Sequence, residues 1–142
     1  MPFFARRAVL QPTFFRCASR RPGLRQRTYG NGQLDDSDVT YLFLRPDGRS
    51  MPSPGDRCVG IYLDCSGVGD DGDLWVLVNM NAAPQPFVIP PELGSRPWRR
   101  FIDTAAYAEE LGNYWTGQSA PVIEGQYVVQ PWSIAIISNG AV

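Results

Sequence analysis

The segment from Leu74 to Ala106 most constrains the fold, because it contains three short apolar runs separated by turn-forming residues. The runs LWVLVNM, QPFVI and WRRFIDT have the length of strands and are rich in β-branched and aromatic residues. The connectors from Asn79 to Pro84 and from Pro90 to Pro97 are crowded with residues that preset turn dihedrals or cap their own backbone. The segment therefore predicts a meander of antiparallel strands.

Similar patterning over the rest of the chain predicts an all-β fold. We expect about seven strands in two packed antiparallel sheets, a β-sandwich, preceded by an irregular or partly helical N-terminal segment. One helical turn is expected from Thr104 to Leu111, with Thr104 as its capping residue. The expected strands are Asp38 to Leu44, Arg57 to Cys65, Asp73 to Met80, Pro86 to Ile89, Trp98 to Thr104, Gln126 to Val129 and Ser133 to Ser138.

Charge divides the chain into two segments. Residues 1–34 carry seven arginines and no acid, whereas residues 35–142 carry six arginines and all fourteen acids, so the segments have net charges of +7 and −8. We therefore expect an arginine-rich N-terminal segment, 1–34, and one folded domain, 35–142. No apolar run approaches the roughly 20 residues that a membrane-spanning helix requires, which favours a protein outside the membrane.

Three interpretations of the arginine-rich segment remain open. It resembles an organelle-targeting peptide, since Phe3, Phe4 and Leu10 would share one side of a helix, although Pro12 would break that helix. It could instead be a nucleic-acid-binding arm, but no base-reading element accompanies it, so we expect no nucleic-acid partner. The third interpretation is that the segment is the remnant of a preceding catalytic domain.

No catalytic constellation is expected in this chain. Without histidine there is no Ser-His or Cys-His pair and no imidazole metal ligand. Glycoside hydrolysis generally needs two facing carboxylates, yet Asp64 and Asp103 each close a strand and Glu124 precedes a glycine in a loop, positions where carboxylates usually cap turns. The remaining acids that we considered, Asp70, Asp71 and Asp73, are expected at a solvated hairpin tip between Gly67 and Asp73, because the loop lacks the closing glutamate of an EF-hand. We expect no cofactor and no metal.

The three cysteines give no disulfide pattern. Cys17, Cys58 and Cys65 are odd in number, and Cys58 and Cys65 are expected at opposite ends of one strand, too far apart to bond to each other. Free thiols of this kind favour a reducing, cytoplasmic environment.

Several of these segments, in their order and spacing, resemble one protein family. VLVNMNAAPQPFVIP followed by WRRFIDTA is similar to the C-terminal β-sandwich domain of bacterial glycogen debranching enzymes and isoamylases, in glycoside hydrolase family 13 of the α-amylase superfamily. The likeness covers roughly residues 23 to 139. The other stretches that carry it are Leu24 to Tyr29, resembling the end of the last barrel helix, and Asp38 to Tyr41, Arg45 to Met51, Cys58 to Asp64, Gln126 to Val129 and Pro131 to Ile137, resembling sandwich strands and loops.

This resemblance implies a non-catalytic domain that stabilises a catalytic barrel. The parent reaction would be hydrolysis of α-1,6 branches in a glucan, and its catalytic residues would lie on barrel segments outside this chain. The expected partner is that barrel, and the resemblance predicts an apolar, poorly covered face where the barrel docks.

The alternative function is a free-standing α-glucan-binding module. Flat aromatic rings stack on the apolar faces of sugars, and Tyr114 and Trp115 lie in a polar, glycine-interrupted stretch, so we predict a carbohydrate platform at these two residues. The other tryptophans, Trp75, Trp98 and Trp132, have apolar neighbours and are expected in the core.

Overall fold

The computed structural model describes residues 39–65, 72–93 and 96–140, and these form eight strands and two short 3-10 helices. The predicted arginine-rich segment, 1–34, therefore lies outside the described residues, as do Cys17, Asp70 and Asp71. The strands are β1 Thr40–Leu44, β2 Cys58–Asp64, β3 Leu74–Asn79, β4 Gln85–Val88, β5 Trp98–Asp103, β6 Val122–Ile123, β7 Gln126–Val129 and β8 Ser133–Ser138.

The strands form two antiparallel sheets. The large sheet has six strands in the order β1-β2-β3-β8-β5-β6, and the small sheet pairs β4 with β7. The all-β, two-sheet prediction is confirmed, and all seven expected strands are present. The two-residue strand β6 was not predicted. It pairs with β5 at one edge of the large sheet.

The core lies between the two sheets, because strand alternation brings one set of side chains from each sheet inward. Phe87 and Val129 of the small sheet are fully buried against Leu77 and Ile137 of the large one. Three aromatic rings pack beside them at centroid distances of 6.0 to 6.3 Å. These rings are Tyr62, Trp75 and Trp98, so the predicted burial of Trp75 and Trp98 is confirmed.

One buried polar residue ties the loops at one end of the sandwich together. The Asn79 side chain is fully buried, and its Nδ2 donates to the carbonyl oxygens of Ala83, Val129 and Gln130 at 2.9 to 3.1 Å. Its Oδ1 accepts from the backbone nitrogen of Asn81 at 2.9 Å. Because these partners belong to the β3–β4 loop and to the β7–β8 turn, Asn79 holds both connections against β3.

Two sequence predictions are wrong in detail. The predicted helical turn exists as a 3-10 helix, Ala106–Leu111, but Ala105 precedes it and no side chain caps it. The Thr104 hydroxyl instead accepts a hydrogen bond from the backbone nitrogen of Ile134 at 2.8 Å. Trp132, expected in the core, has 62% of its surface exposed, because it lies in the β7–β8 turn and not in a strand. Its backbone there adopts a left-handed conformation with φ of 54°.

The described helices are short. The second one, Gly117–Ser119, spans a single turn before β6. Among the residues that the structure describes, no helix has the length and apolar character that crossing a membrane requires.

Candidate interaction surface

The large sheet has a second face, which points away from β4 and β7. We call it the outer face. The register places Ile61, Val76 and Ile136 side by side in one cross-strand row. The parallel row beside it contains Val59, Val78 and Ile134. By the same alternation the face also includes Tyr41, Phe43, Leu63, Leu74, Arg99, Ile102, Val122 and Ser138.

Most side chains of this face are apolar and at least partly exposed. Both central rows are half-buried, while Phe43 and Val122 are 45% and 49% exposed. The rings of Tyr41 and Phe43 meet edge to face at 5.5 Å. The one charged strand residue on the face is Arg99, whose guanidinium donates to the carbonyl oxygen of Ala120 at 2.8 Å.

Such a face is unusual for a sheet that meets water. Antiparallel sheets generally alternate apolar side chains on the core side with polar side chains on the solvent side. Here both sides of β2, β3 and β8 are apolar. Contiguous apolar patches of several hundred Å² generally mark a docking surface. The outer face is therefore our strongest candidate for a functional surface, and it is the kind of face that the family resemblance predicts.

A second feature is a hydrogen-bonded cluster on the core side of β5. A bulge between Arg100 and Ile102 breaks the strand alternation, so Arg100 and Asp103 both point toward the small sheet. The Asp103 carboxylate is fully buried and accepts from the hydroxyls of Tyr107 and Tyr127, each at 2.5 Å. It also accepts from the backbone nitrogen of Ala105 at 2.8 Å, which closes the turn after β5.

Two tyrosine hydroxyls link the charged groups of this cluster, the Asp103 carboxylate and the Arg100 guanidinium. The Tyr107 and Tyr127 hydroxyls each carry one proton, and both protons point at Asp103. The Arg100 guanidinium donates to the Tyr107 oxygen at 3.1 Å and also lies beside the Tyr127 hydroxyl. Two hydroxyls therefore connect a buried carboxylate to an arginine. The cluster joins β5, the first 3-10 helix and β7.

The environment of the cluster keeps its tyrosines protonated. Burial, reinforced by the hydrogen bond to Asp103, raises the pKa of Tyr127 well above its ordinary value. The same two causes raise the pKa of Tyr107. A tyrosine that does not ionise readily is a poor general base, so we interpret the cluster as a structural connection between the sheets.

The predicted carbohydrate platform lies next to this cluster. Tyr114 forms a β-bridge with Ile102, and Trp115 donates its backbone nitrogen to the carbonyl oxygen of Phe101 at 2.9 Å. Both side chains are half-buried. The Arg100 guanidinium carbon lies 3.8 Å from the centroid of the Trp115 ring, in cation–π contact. One face of Trp115 is thus occupied, which leaves at most the other face for a sugar.

Trp132 presents a more exposed ring. It lies at the end of the sandwich beside the β3–β4 loop, where its backbone nitrogen donates to the carbonyl oxygen of Asn81 at 3.3 Å. Met80, in the same loop, is 37% exposed, and the loop residues 82–84 are exposed as well. Nothing in the sequence indicates this exposure, because most of the β8 residues that follow Trp132 are apolar.

The carboxylates that we considered for hydrolysis occupy structural positions. Asp64 and Asp103 are the last residues of β2 and β5, as expected, and Glu124 lies exposed in a loop. Asp73 accepts from the Tyr62 hydroxyl at 2.8 Å and from the backbone nitrogen of Cys65 at 2.9 Å. Asn139 donates to Asp73 as well, at 3.2 Å, so this acid fastens the end of β8 to β3.

Candidate metal ligands are likewise not brought together within the part of the chain that the structure describes. The described ranges contain no group of three or more Cys, Asp or Glu residues that could hold a metal ion. Cys58 and Cys65 are both buried. Burial raises the pKa of the Cys58 thiol, which favours the unreactive protonated form.

Comparison with known proteins does not identify a family for this chain. No protein-family model matches the chain, and no curated protein matches it either.

Proposed function

We propose that this chain is the non-catalytic C-terminal β-sandwich of a glycogen-debranching enzyme, and that its outer face docks the catalytic barrel. The observation that carries the proposal is the outer face itself. Half-buried apolar side chains cover three adjacent central strands, with Phe43 and Val122 exposed toward its two edges. Burying such a surface against a partner is favourable by roughly 25 cal/mol for each Å² removed from water.

The identity of the partner rests on the family resemblance. The stretches of this chain that resemble the family include the strands β1, β2, β3, β4, β5, β7 and β8. A domain of this kind contributes stability and no chemistry. That role agrees with the structural use of Asp73 and Asp103, whose carboxylates each accept three hydrogen bonds within the sandwich.

A chimaeric enzyme tests the proposal. Residues 35–142 would replace the C-terminal domain of a bacterial glycogen debranching enzyme, and α-1,6 hydrolysis of amylopectin and thermal unfolding would be measured. We expect the chimaera to be more active and more heat-stable than the barrel alone. A chimaera no better than the barrel alone would contradict the proposal.

Matched substitutions in the chimaera locate the contact. Val76→Arg places a charge in the centre of the outer face, where a docked barrel would bury it without a partner. Val88→Arg makes the same change on the opposite side of the molecule, at a residue of β4 that is 43% exposed. We expect the Val76 variant to lose the gain in stability and the Val88 variant to keep it. Equal behaviour of the two variants would place the docking surface elsewhere.

A second function, binding of α-glucan, is favoured by the exposure of Trp132. An indole ring that is 62% exposed and mounted on a turn held by Asn79 can stack on a sugar without prior rearrangement. Glycogen in a native gel should then retard the chain. Trp132→Ala should abolish the retardation, and Trp115→Ala tests the platform that the sequence predicted. Unchanged mobility of the unsubstituted chain in glycogen would rule out this function.

A further inference from the structure

The strand β1 forms one edge of the large sheet. It pairs with β2 along one side, through five residues in continuous register. In the part of the chain that the structure describes, no strand pairs with its other side. Leu42 and Phe43, in the middle of β1, are 37% and 45% exposed, which agrees with an open edge.

The direction of the backbone groups shows which residues of β1 form this edge. The backbone nitrogen of Met80 donates to the carbonyl oxygen of Arg57 at 2.8 Å, so these opposed residues are a hydrogen-bonded pair between β2 and β3. Backbone groups point to alternate sides along a strand, and Tyr62 lies an odd number of residues after Arg57. The groups of Tyr62 therefore point toward β1, where they meet Leu42. Since the groups of Leu42 are used inside the sheet, those of its two neighbours in β1 point away from the sheet.

This edge lacks the features with which proteins prevent strand edges from pairing. Charged side chains, prolines, bulges and very short strands serve that purpose. The sequence of β1 is TYLFL, without charge or proline, and its register with β2 has no bulge. The opposite edge of the sheet, β6, has only two residues and follows Pro121. Of these two edges, β1 is therefore the one suited to receive another strand.

The strand β1 is complementary to a second copy of itself. In an antiparallel pair with twofold symmetry across one sheet, one residue lies opposite its own copy, because opposed side chains share one side of the sheet. Centring the pair on Leu42 gives the longest overlap and places Tyr41 opposite Phe43 of the second copy. Aromatic pairs across strands stabilise sheets. Because the backbone groups of Tyr41 and Phe43 point outward, each of these pairs exchanges both of its backbone hydrogen bonds.

Charge also favours this antiparallel arrangement. The first charged residue after β1 is Arg45, which is paired with Asp56 at 2.8 Å. In a pair centred on Leu42, the two copies of Arg45 lie at opposite ends of the joined strands, about 20 Å apart. Ordinary salt concentrations screen charges beyond about 10 Å, so these arginines do not oppose the pairing.

We propose that two copies of this chain associate through β1, antiparallel and centred on Leu42, so that their large sheets continue into one sheet. The twofold axis is perpendicular to the sheet and leaves both outer faces uncovered on the same side. A pair of five-residue strands buries less area than a standard interface, so the dimer is weak and reversible. The proposal does not rest on barrel docking, which uses the outer face and is tested in the chimaera.

Sedimentation velocity of the full chain measures this association. Concentrations from about 1 μM to about 1 mM cover the dissociation constants of a small interface. Every protein carries Cys17→Ser to remove one thiol, and Cys58 and Cys65 are buried. We expect a monomer that converts to a dimer as the concentration rises, and to nothing larger, because the dimer has used its β1 edges. A monomer throughout the range would overturn the proposal and leave the edge to a strand of different sequence.

Opposite charges at position 42 test the register. Leu42→Lys places two ammonium groups face to face across the twofold axis, and Leu42→Glu places two carboxylates there, so each variant alone should associate about tenfold more weakly. An equimolar mixture of the two should associate more tightly than either alone. The control Val88→Lys, at a residue of β4 that is 43% exposed, should dimerise like the unsubstituted chain.

The outcomes of the charge exchange are decisive once circular dichroism verifies that each variant is folded. A Leu42→Lys variant that dimerises as well as the control would overturn the proposal. A mixture that associates no more tightly than either variant alone would overturn it as well.

Cysteine substitution distinguishes the edge from the outer face and does not require a charge in the strand. Opposed residues at a non-hydrogen-bonded position have α-carbons about 4.5 Å apart, within the range of a disulfide, so Leu42→Cys should form a linked dimer on mild oxidation. In the same register the two copies of Phe43→Cys lie about 8 Å apart, too far to be bridged. A non-reducing gel measures both. Linkage at position 43 as strong as at position 42, which a face-to-face dimer through the outer face would give, or linkage at neither position would overturn the proposal.

Discussion

The indole nitrogen of Trp75 lies 2.3 Å from the point where a β-carbon on Gly60 would stand. The two residues lie on adjacent strands, two register positions apart on the core side, where Gly60 pairs with Leu77 and Trp75 pairs with Tyr62. Glycine in the middle of a strand ordinarily weakens it. Here the missing side chain makes room for the largest fully buried ring of the core.

Gly60→Ala should therefore destabilise the domain, although alanine is the smallest possible addition. The methyl group would overlap Trp75, which is packed on every side and cannot shift freely. We expect the free energy of unfolding in urea to fall by about 1 to 3 kcal/mol, the usual range for overpacking a core. Trp75→Phe removes the overlapping nitrogen, so Gly60→Ala should cost less in that background. Equal costs in both backgrounds would show that the ring is not the cause.

The stability of the domain should fall above pH 10, and Tyr127 should be one reason. Its folded-state pKa is raised, by burial first and then by Asp103, whereas in the unfolded chain it ionises near its ordinary value of about 10. Below pH 10 both states keep the proton and the stabilising effect is complete. As the pH rises further the unfolded state loses its proton first, so stability falls by up to about 1.4 kcal/mol per pH unit for each such group.

Tyr127→Phe isolates this contribution. The variant has no hydroxyl to ionise in either state, so its unfolding free energy should decline less steeply between pH 10 and pH 11 than that of the unsubstituted chain. Tyr62, whose pKa is raised by burial and by Asp73, should behave in the same way when replaced by Phe. A slope unchanged by both substitutions would contradict the prediction. The chain contains no lysine, which otherwise titrates in this range.

Asn79→Leu should be strongly destabilising despite its apolar surroundings. The substitution leaves the carbonyl oxygens of Ala83, Val129 and Gln130 without their donor. Unpaired buried groups of this kind cost about 1 to 3 kcal/mol each, and water can reach some of them, so we expect a total loss on the order of 3 kcal/mol in urea unfolding. Ser133→Ala is a suitable control, because Ser133 pairs with Asn79 in the register but its hydroxyl donates locally to Pro131. A loss no larger than that of the control would mean that Asn79 is not needed to hold the loops.

The strands could be predicted from the sequence because they are short runs rich in β-branched and aromatic residues, bounded by turn-forming residues. The strand Gln126–Val129 was predicted with both its bounds, and β5 was predicted to within one residue. Strand β6 contains two residues, too few for any periodicity to be visible. Its pairing with Trp98 and Arg99 depends on tertiary structure alone.

The cluster around Asp103 could not be predicted for a different reason. The bulge after Arg100 places that residue and Asp103 on one side, although their spacing of three would put them on opposite sides of a regular strand. Tyr127 lies 24 residues away in the chain and in the other sheet. No pattern in the local sequence indicates a contact between residues so far apart in the chain. The outer face, by contrast, follows from the alternation itself, since both sides of β2 and β3 are apolar in the sequence.

Trp132 offers a last prediction, in which stability and binding should change in opposite directions. Its φ of 54° is a left-handed conformation that bulky residues rarely adopt, whereas Asn and Gly accept it readily. The indole ring is mostly exposed, so little packing is lost on its removal. Trp132→Asn should therefore raise the free energy of unfolding by about 0.5 to 1 kcal/mol. If the ring binds α-glucan, the same variant should lose its retardation by glycogen in a native gel. A variant that is less stable would show instead that the ring packs on Met80 and the β3–β4 loop strongly enough to outweigh the backbone strain.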